Sequence, residues 1–115
     1  MAYTIKLERD RTFEKTLTYK AGGVGVNLTG KEIVFHVRKN ESKTDYLTIS
    51  TADIAANVNG SRLIYTNRTG GAFSLLLTDE ETKLMRFDQG FYSFSLEYGG
   101  RKDDLSGGRL NVSNP

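Results

Sequence analysis

The sequence predicts an all-β fold: an antiparallel β-sandwich of about seven or eight short strands, with one short helix near residues 79–87. Three observations predict it. Apolar residues recur at every second position along most of the chain, which is the period of a half-buried strand. Glycine- and asparagine-rich clusters interrupt these runs at fairly regular spacing. The single proline is Pro115, so no strand interior loses a backbone donor to proline.

The strands follow in order. Tyr3, Ile5 and Leu7 alternate with Thr4 and Lys6, and Phe13, Leu17 and Tyr19 alternate with Glu14, Thr16 and Thr18. Ile33, Phe35 and Val37 share a side opposite His36 and Arg38. Leu63 and Tyr65 mark a short strand, and Phe73, Leu75 and Leu77 another. Tyr92, Phe94, Leu96 and Tyr98 alternate with Ser93, Ser95 and Glu97, and Leu110 and Val112 end the pattern. Each run puts one face in a core and the other in water. Ala21–Gly25, Asn59-Gly60, Gly70-Gly71, Gly99-Gly100 and Gly107-Gly108 read as turns, with Asn59-Gly60 suited to a type I′ hairpin. Lys39–Asp45 is the most polar stretch and reads as an exposed loop.

The helix announces itself chemically. Thr78 can cap its N-terminus, with Glu81 three residues on to complete a capping box. Asp79 and Glu80 suit the positive end of the helix dipole and Arg86 the negative end. Leu84, Met85 and Phe87 supply an apolar side, and Gly90 follows as a stop. A second short helical stretch is read at Thr51–Ala56.

The 115 residues are expected to form one domain, residues 1–115, large enough for one modest core. Cysteine is absent, which excludes disulfides, thiolate metal sites and a cysteine nucleophile. The N-terminal stretch is polar and alternating, unlike a signal peptide, and no apolar run is long enough to span a membrane. The chain is therefore expected to be made in a cytoplasm, with the five Asn-x-Ser/Thr sequons falling by chance. Sixteen basic and 14 acidic residues, interspersed to a net charge of +2, make no nucleic-acid footprint.

Candidate chemistry is sparse. Gly25–Glu32 nearly matches a phosphate-binding loop, but a strand pattern follows where a helix is required, and Glu32 stands where a hydroxyl residue would hold magnesium. His36 is the one histidine, too few for a usual zinc site or a nucleophilic triad. Asp79, Glu80 and Glu81 have a capping role, and Asp103-Asp104 is a lone acidic pair in a turn-rich stretch, short of the six or so oxygens calcium takes. No catalytic, cofactor-binding or metal-binding residue is assigned. Phe91 is out of phase with Tyr92, Phe94 and Tyr98, which suits an interface or packing under the helix. Candidate contact residues are Lys39, Glu41, Lys43 and Asp45 of the polar loop, Glu80 and Lys83 of the helix, and Phe91.

Several segments carry a likeness to a known group: DRTFEKTLTY (Asp10–Tyr19), VNLTG (Val26–Gly30), IVFHVR (Ile33–Arg38), FSLLLTDEET (Phe73–Thr82), GFYSFSLEY (Gly90–Tyr98) and LSGGRLNV (Leu105–Val112). In this succession the chain resembles the small β-sandwich domains of tailed-bacteriophage virions, above all the N-terminal domain of baseplate upper proteins. It departs from their pattern at Asn27, where an Asp usually precedes LTG. The resemblance implies an immunoglobulin-like fold and a non-catalytic role in the tail or baseplate of a virion. Other virion or tail proteins would be its partners, in a homo-oligomer or ring on a symmetric scaffold, with no nucleic acid, membrane or small-molecule substrate. A carbohydrate- or receptor-binding module of a phage or bacterial surface is the alternative.

Overall fold

The computed structural model describes residues 4–39, 45–51 and 60–114. Most of the Lys39–Asp45 loop, including Glu41 and Lys43, and most of the Thr51–Ala56 stretch lie outside the described residues. The described chain is β1 (Ile5–Glu8), β2 (Phe13–Thr18), β3 (Lys20–Ala21), β4 (Val24–Gly25), β5 (Glu32–Lys39), β6 (Asp45–Ser50), β7 (Arg62–Asn67), β8 (Ala72–Leu77), α1 (Asp79–Leu84), β9 (Gln89–Tyr98) and β10 (Arg101–Ser113). It is all-β apart from one helix.

Eight of the strands form two sheets, ordered β1-β10-β9-β5-β6 and β2-β8-β7. The order is that of an immunoglobulin variable domain, with β2, β8 and β7 in the places of strands B, E and D, and β10, β9, β5 and β6 in those of G, F, C and C′. The pairs are antiparallel with one exception. β1 runs parallel to β10, with Ile5 opposite Leu110 and Leu7 opposite Val112. β3 and β4 form a separate small ribbon, turned by Gly22 and Gly23, both at positive φ as a type I′ turn demands.

Alternation decides which side chains meet between the sheets. Ile33, Phe35, Val37, Leu47, Ile49, Phe94, Leu96 and Leu110 come from the larger sheet and Leu63, Phe73, Leu75 and Leu77 from the smaller, all in one buried cluster. Phe94 is its hub: its ring centroid lies 5.0 Å from that of Phe35 in the same sheet and 5.6 Å from that of Phe73 across the sandwich. With neither cysteine nor tryptophan, these tilted rings occupy the centre that antibody domains give to a disulfide and a Trp.

The structure corrects several readings. The helix ends at Leu84 rather than Phe87, because Met85 leaves helical geometry (ψ 110) to bury its side chain completely. Lys83, not Arg86, is therefore the basic residue of its last turn, and Gly90 lies inside β9. A Cβ at Gly90 would stand 2.5 Å from the Arg38 carbonyl oxygen, so a close strand contact, not helix termination, demands glycine there. Finally, Asp45–Ser50 is a strand that the alternation did not mark, and β10 continues through Asp103-Asp104 and Gly107-Gly108, with a bulge between Asp104 and Ser106, so neither pair is a turn. The N-cap reading stands: the Thr78 hydroxyl accepts from the Glu81 backbone N–H at 3.4 Å.

Candidate functional site on the outer face of the larger sheet

Three surfaces could serve a partner, and their chemistry separates them. The first is the edge between β2 and β10, a groove of about 400 Å³ lined by Leu17, Tyr19, Phe73, Phe94, Leu105 and Ser106. A bulge between Asp104 and Ser106 shifts the register of β10 there. On β2 the inward phase is Phe13, Lys15 and Leu17, each half-buried. A charged side chain in the inward phase of an edge strand opposes pairing with another chain, so Lys15 protects this edge rather than offering it.

The second surface surrounds the Gly99-Gly100 turn, both glycines at positive φ. Tyr98 donates to Asp103 Oδ2 at 3.0 Å, which raises the phenol pKa, chiefly through that hydrogen bond. Lys31 and Arg101 stand over the Tyr98 ring, 5.0 and 5.9 Å from its centroid. Asp103 also accepts from Arg101 Nε at 3.3 Å and raises the Arg101 pKa. Asp103 pairs with Leu96 and Asp104 with Ser95, so the two carboxylates take opposite faces of the sheet and do not converge.

The third surface is the outer face of the larger sheet, and the registers define it. Arg38 lies opposite Phe91, and Phe91 opposite Arg109, in one row across β5, β9 and β10. The next row toward the sheet's end holds Gln89, Asn111 and Lys6. Towards the middle the side chains shrink to Gly107 and Ser93, then Ser95 and Val34, with His36 beside them. His36 Nε2 is 3.3 Å from Ser95 Oγ. The far row brings Glu32, Glu97 and Lys102 together. The face is thus a shallow trough: His36, Arg38, Phe91, Ser93, Lys102 and Asp104 border a hollow of about 270 Å³. Phe91 is 45% exposed, a large apolar ring held in water between two arginines.

The expected contact residues divide between surfaces. Phe91 and Lys39 come together, since Lys39 ends β5 opposite Gly90, the neighbour of Phe91. Asp45 opens β6 opposite Arg38. Glu80 and Lys83 lie on α1, exposed, with Leu84 exposed beside them. The residues missed in the sequence are Arg109, Gln89 and Asn111. Extending the Leu110–Val112 alternation backwards would have found Arg109 and Asn111 in the outward phase.

The near-match to a phosphate loop has another use. Leu28 is fully buried, Gly30 turns at φ 78, and β5 follows directly. Arg68 locks this turn, donating to the Leu28 and Lys31 carbonyls at 3.1 and 2.8 Å and to Glu32 Oε1 at 3.2 Å, with its guanidinium 4.4 Å from the Tyr65 ring centroid. Glu32 also accepts from Thr51 Oγ1, and Tyr65 donates to the Lys31 carbonyl. Burial is the main cause raising the Tyr65 pKa.

The fold is shared with a phage protein. The N-terminal domain of phage TP901-1 ORF48 superposes with a TM-score of 0.55, covering 99% of this chain and 86% of that one at 12% identity. That likeness establishes the β-sandwich and its connectivity. A second solved structure, the inferred receptor binding domain of human endogenous retrovirus envelope EnvP(b)1, aligns at a TM-score of 0.46, covering 97% of this chain and 90% of that one at 14% identity, too distant to carry an argument. No family model matches the chain, and no curated protein matches it in sequence.

Proposed function

We propose that the chain is a structural component of a tailed-bacteriophage virion, in the tail or baseplate, acting through protein–protein contacts without catalysis. The observation that carries this reading is the outer face: a rigid sheet presenting Phe91 between Arg38 and Arg109, on a fold shared with a phage protein domain. Exposed aromatic and arginine side chains are the types enriched at protein interfaces. The five strands, of 4, 13, 10, 8 and 6 residues, at ~3.3 Å per residue and ~4.8 Å apart give a face of roughly 650 Å², near the ~800 Å² each partner contributes to a standard interface. The acidic groups have structural tasks instead: Asp103 holds Tyr98 and Arg101, Glu32 holds Arg68, and Asp79 and Glu80 sit in the first turn of α1. A symmetric virion would use repeated copies, so a homo-oligomer or ring is the expected state. Mass spectrometry of purified particles tests the proposal; an enzymatic activity in a chain absent from the particle refutes it.

The alternative, a carbohydrate- or receptor-binding module, draws on Tyr98, which lines an open groove of about 490 Å³ and donates to the neighbouring Asp103. Specific binding of the isolated chain on a glycan array would favour it.

A further inference from the structure

Beside Phe91 the outer face carries a small, well-defined cleft of about 130 Å³, lined by Gln89, Gly90, Phe91, Arg109 and Asn111. Its construction follows from register. Asn111 pairs with Gln89 and Arg109 with Phe91, so two carboxamides, one guanidinium and one ring come from two neighbouring outward rows of β9 and β10. Lys6 extends the amide row on β1. Gly90 contributes only backbone between the two rows; it faces inward opposite buried Leu110, where a Cβ would meet the Arg38 carbonyl and the Phe87 ring.

Resting on the interface reading above, we propose that this cleft binds the side-chain carboxylate of an Asp or Glu on a neighbouring protein subunit. A guanidinium offers a planar fork of donors that matches the two oxygens of a carboxylate. The amide groups of Gln89 and Asn111 add neutral donors in the adjoining row. The lining itself carries one formal charge, on Arg109, and Lys6 and Arg38 at its margins add to the attraction for an anion. The Phe91 ring, half in water, packs the methylene stem that leads to the carboxylate. The cleft thus combines an apolar anchor with a charge-assisted hydrogen-bonding set, the combination that concentrates binding energy at interfaces.

The test is an NMR titration of the full chain, following the Arg109 Nε–H and the side-chain amides of Gln89 and Asn111. The probe is acetyl-glutamate N-methylamide, with the glutamine analogue, inorganic phosphate and glucuronate as comparisons. The expected result is saturable shifts at those three groups with the glutamate probe, and binding weaker by about tenfold or more with the glutamine analogue. Arg109→Gln should weaken the glutamate probe by a similar factor, and Asn111→Asp should repel it while leaving the fold's backbone spectrum unchanged. Equal binding of the glutamine analogue, tighter binding of phosphate or glucuronate, or no shift at these groups at millimolar concentrations overturns the proposal. Particle incorporation of the unaltered chain is scored separately, so the cleft can fail while the virion assignment stands.

Discussion

Arg9, in the turn after β1, donates from Nε to the carbonyl of Met85 at 2.7 Å, across 76 residues of sequence. The same guanidinium donates to the Phe87 carbonyl at 3.0 Å and to Asp88 and Asn114 side chains, each at 2.9 Å. It thereby clasps the exit of α1, the start of β9 and the end of β10 to the N-terminal strand. Its side chain is only 17% exposed, so its bonds are poorly replaced by water. Arg9→Ala is expected to cost about 2–3 kcal/mol, lowering Tm by roughly 10 °C or more. Lysine should recover little, since one ammonium cannot reproduce a fork spanning two carbonyls. Thermal and urea unfolding measure both.

Phe91 and Phe94 lie three residues apart in one strand and should behave oppositely. Phe94→Ala empties the hub between the sheets and is expected to cost about 3–5 kcal/mol. Phe91→Ala removes an exposed ring and should change stability by no more than about 0.5 kcal/mol. The sharp contrast in urea midpoints would show that Phe91 serves something other than folding.

Lys15 is expected to limit self-association. Lys15→Val completes the apolar inward phase of β2 and removes the charge that opposes edge pairing. Light scattering of the concentrated variant should report aggregates that the parent chain does not form.

Alkaline pH should weaken the fold through Tyr65. Burial, the leading cause, raises its pKa above the ordinary 10.0, so the folded chain holds the phenol proton more tightly than the unfolded chain does. That contribution is fully present below the unfolded value and is lost as pH rises through the folded one. Tyr65→Phe should flatten this decline while lowering stability at neutral pH by about 1 kcal/mol, through loss of the hydroxyl's bond to the Lys31 carbonyl. Urea unfolding across an alkaline pH series reads both effects.

Much of the fold is legible because alternation and capping are local. The inward phase of Phe73, Leu75 and Leu77 and the N-cap at Thr78 are where simple periodicity puts them. The helix end was not legible, because Met85 is drawn into the core and Arg9 binds the chain beyond it, both long-range events. Gly107-Gly108 looks like a turn locally, yet it lies in a strand where Gly107 approaches the Tyr92 carbonyl closely. The same misreading concealed Arg109 and Asn111. Phe91 stands out in the sequence as an aromatic in the polar phase of its own strand; its partners follow only from the pairing of β10 with β9.

Cryo-electron microscopy of the virion proposed to carry the chain is the decisive measurement. Density for the chain is expected in the tail or baseplate, in a copy number set by the local symmetry, with the Arg38–Phe91–Arg109 row covered by a neighbouring subunit. A particle that lacks the chain, or that holds it with this row bare to solvent and its contacts made elsewhere, would contradict the proposal.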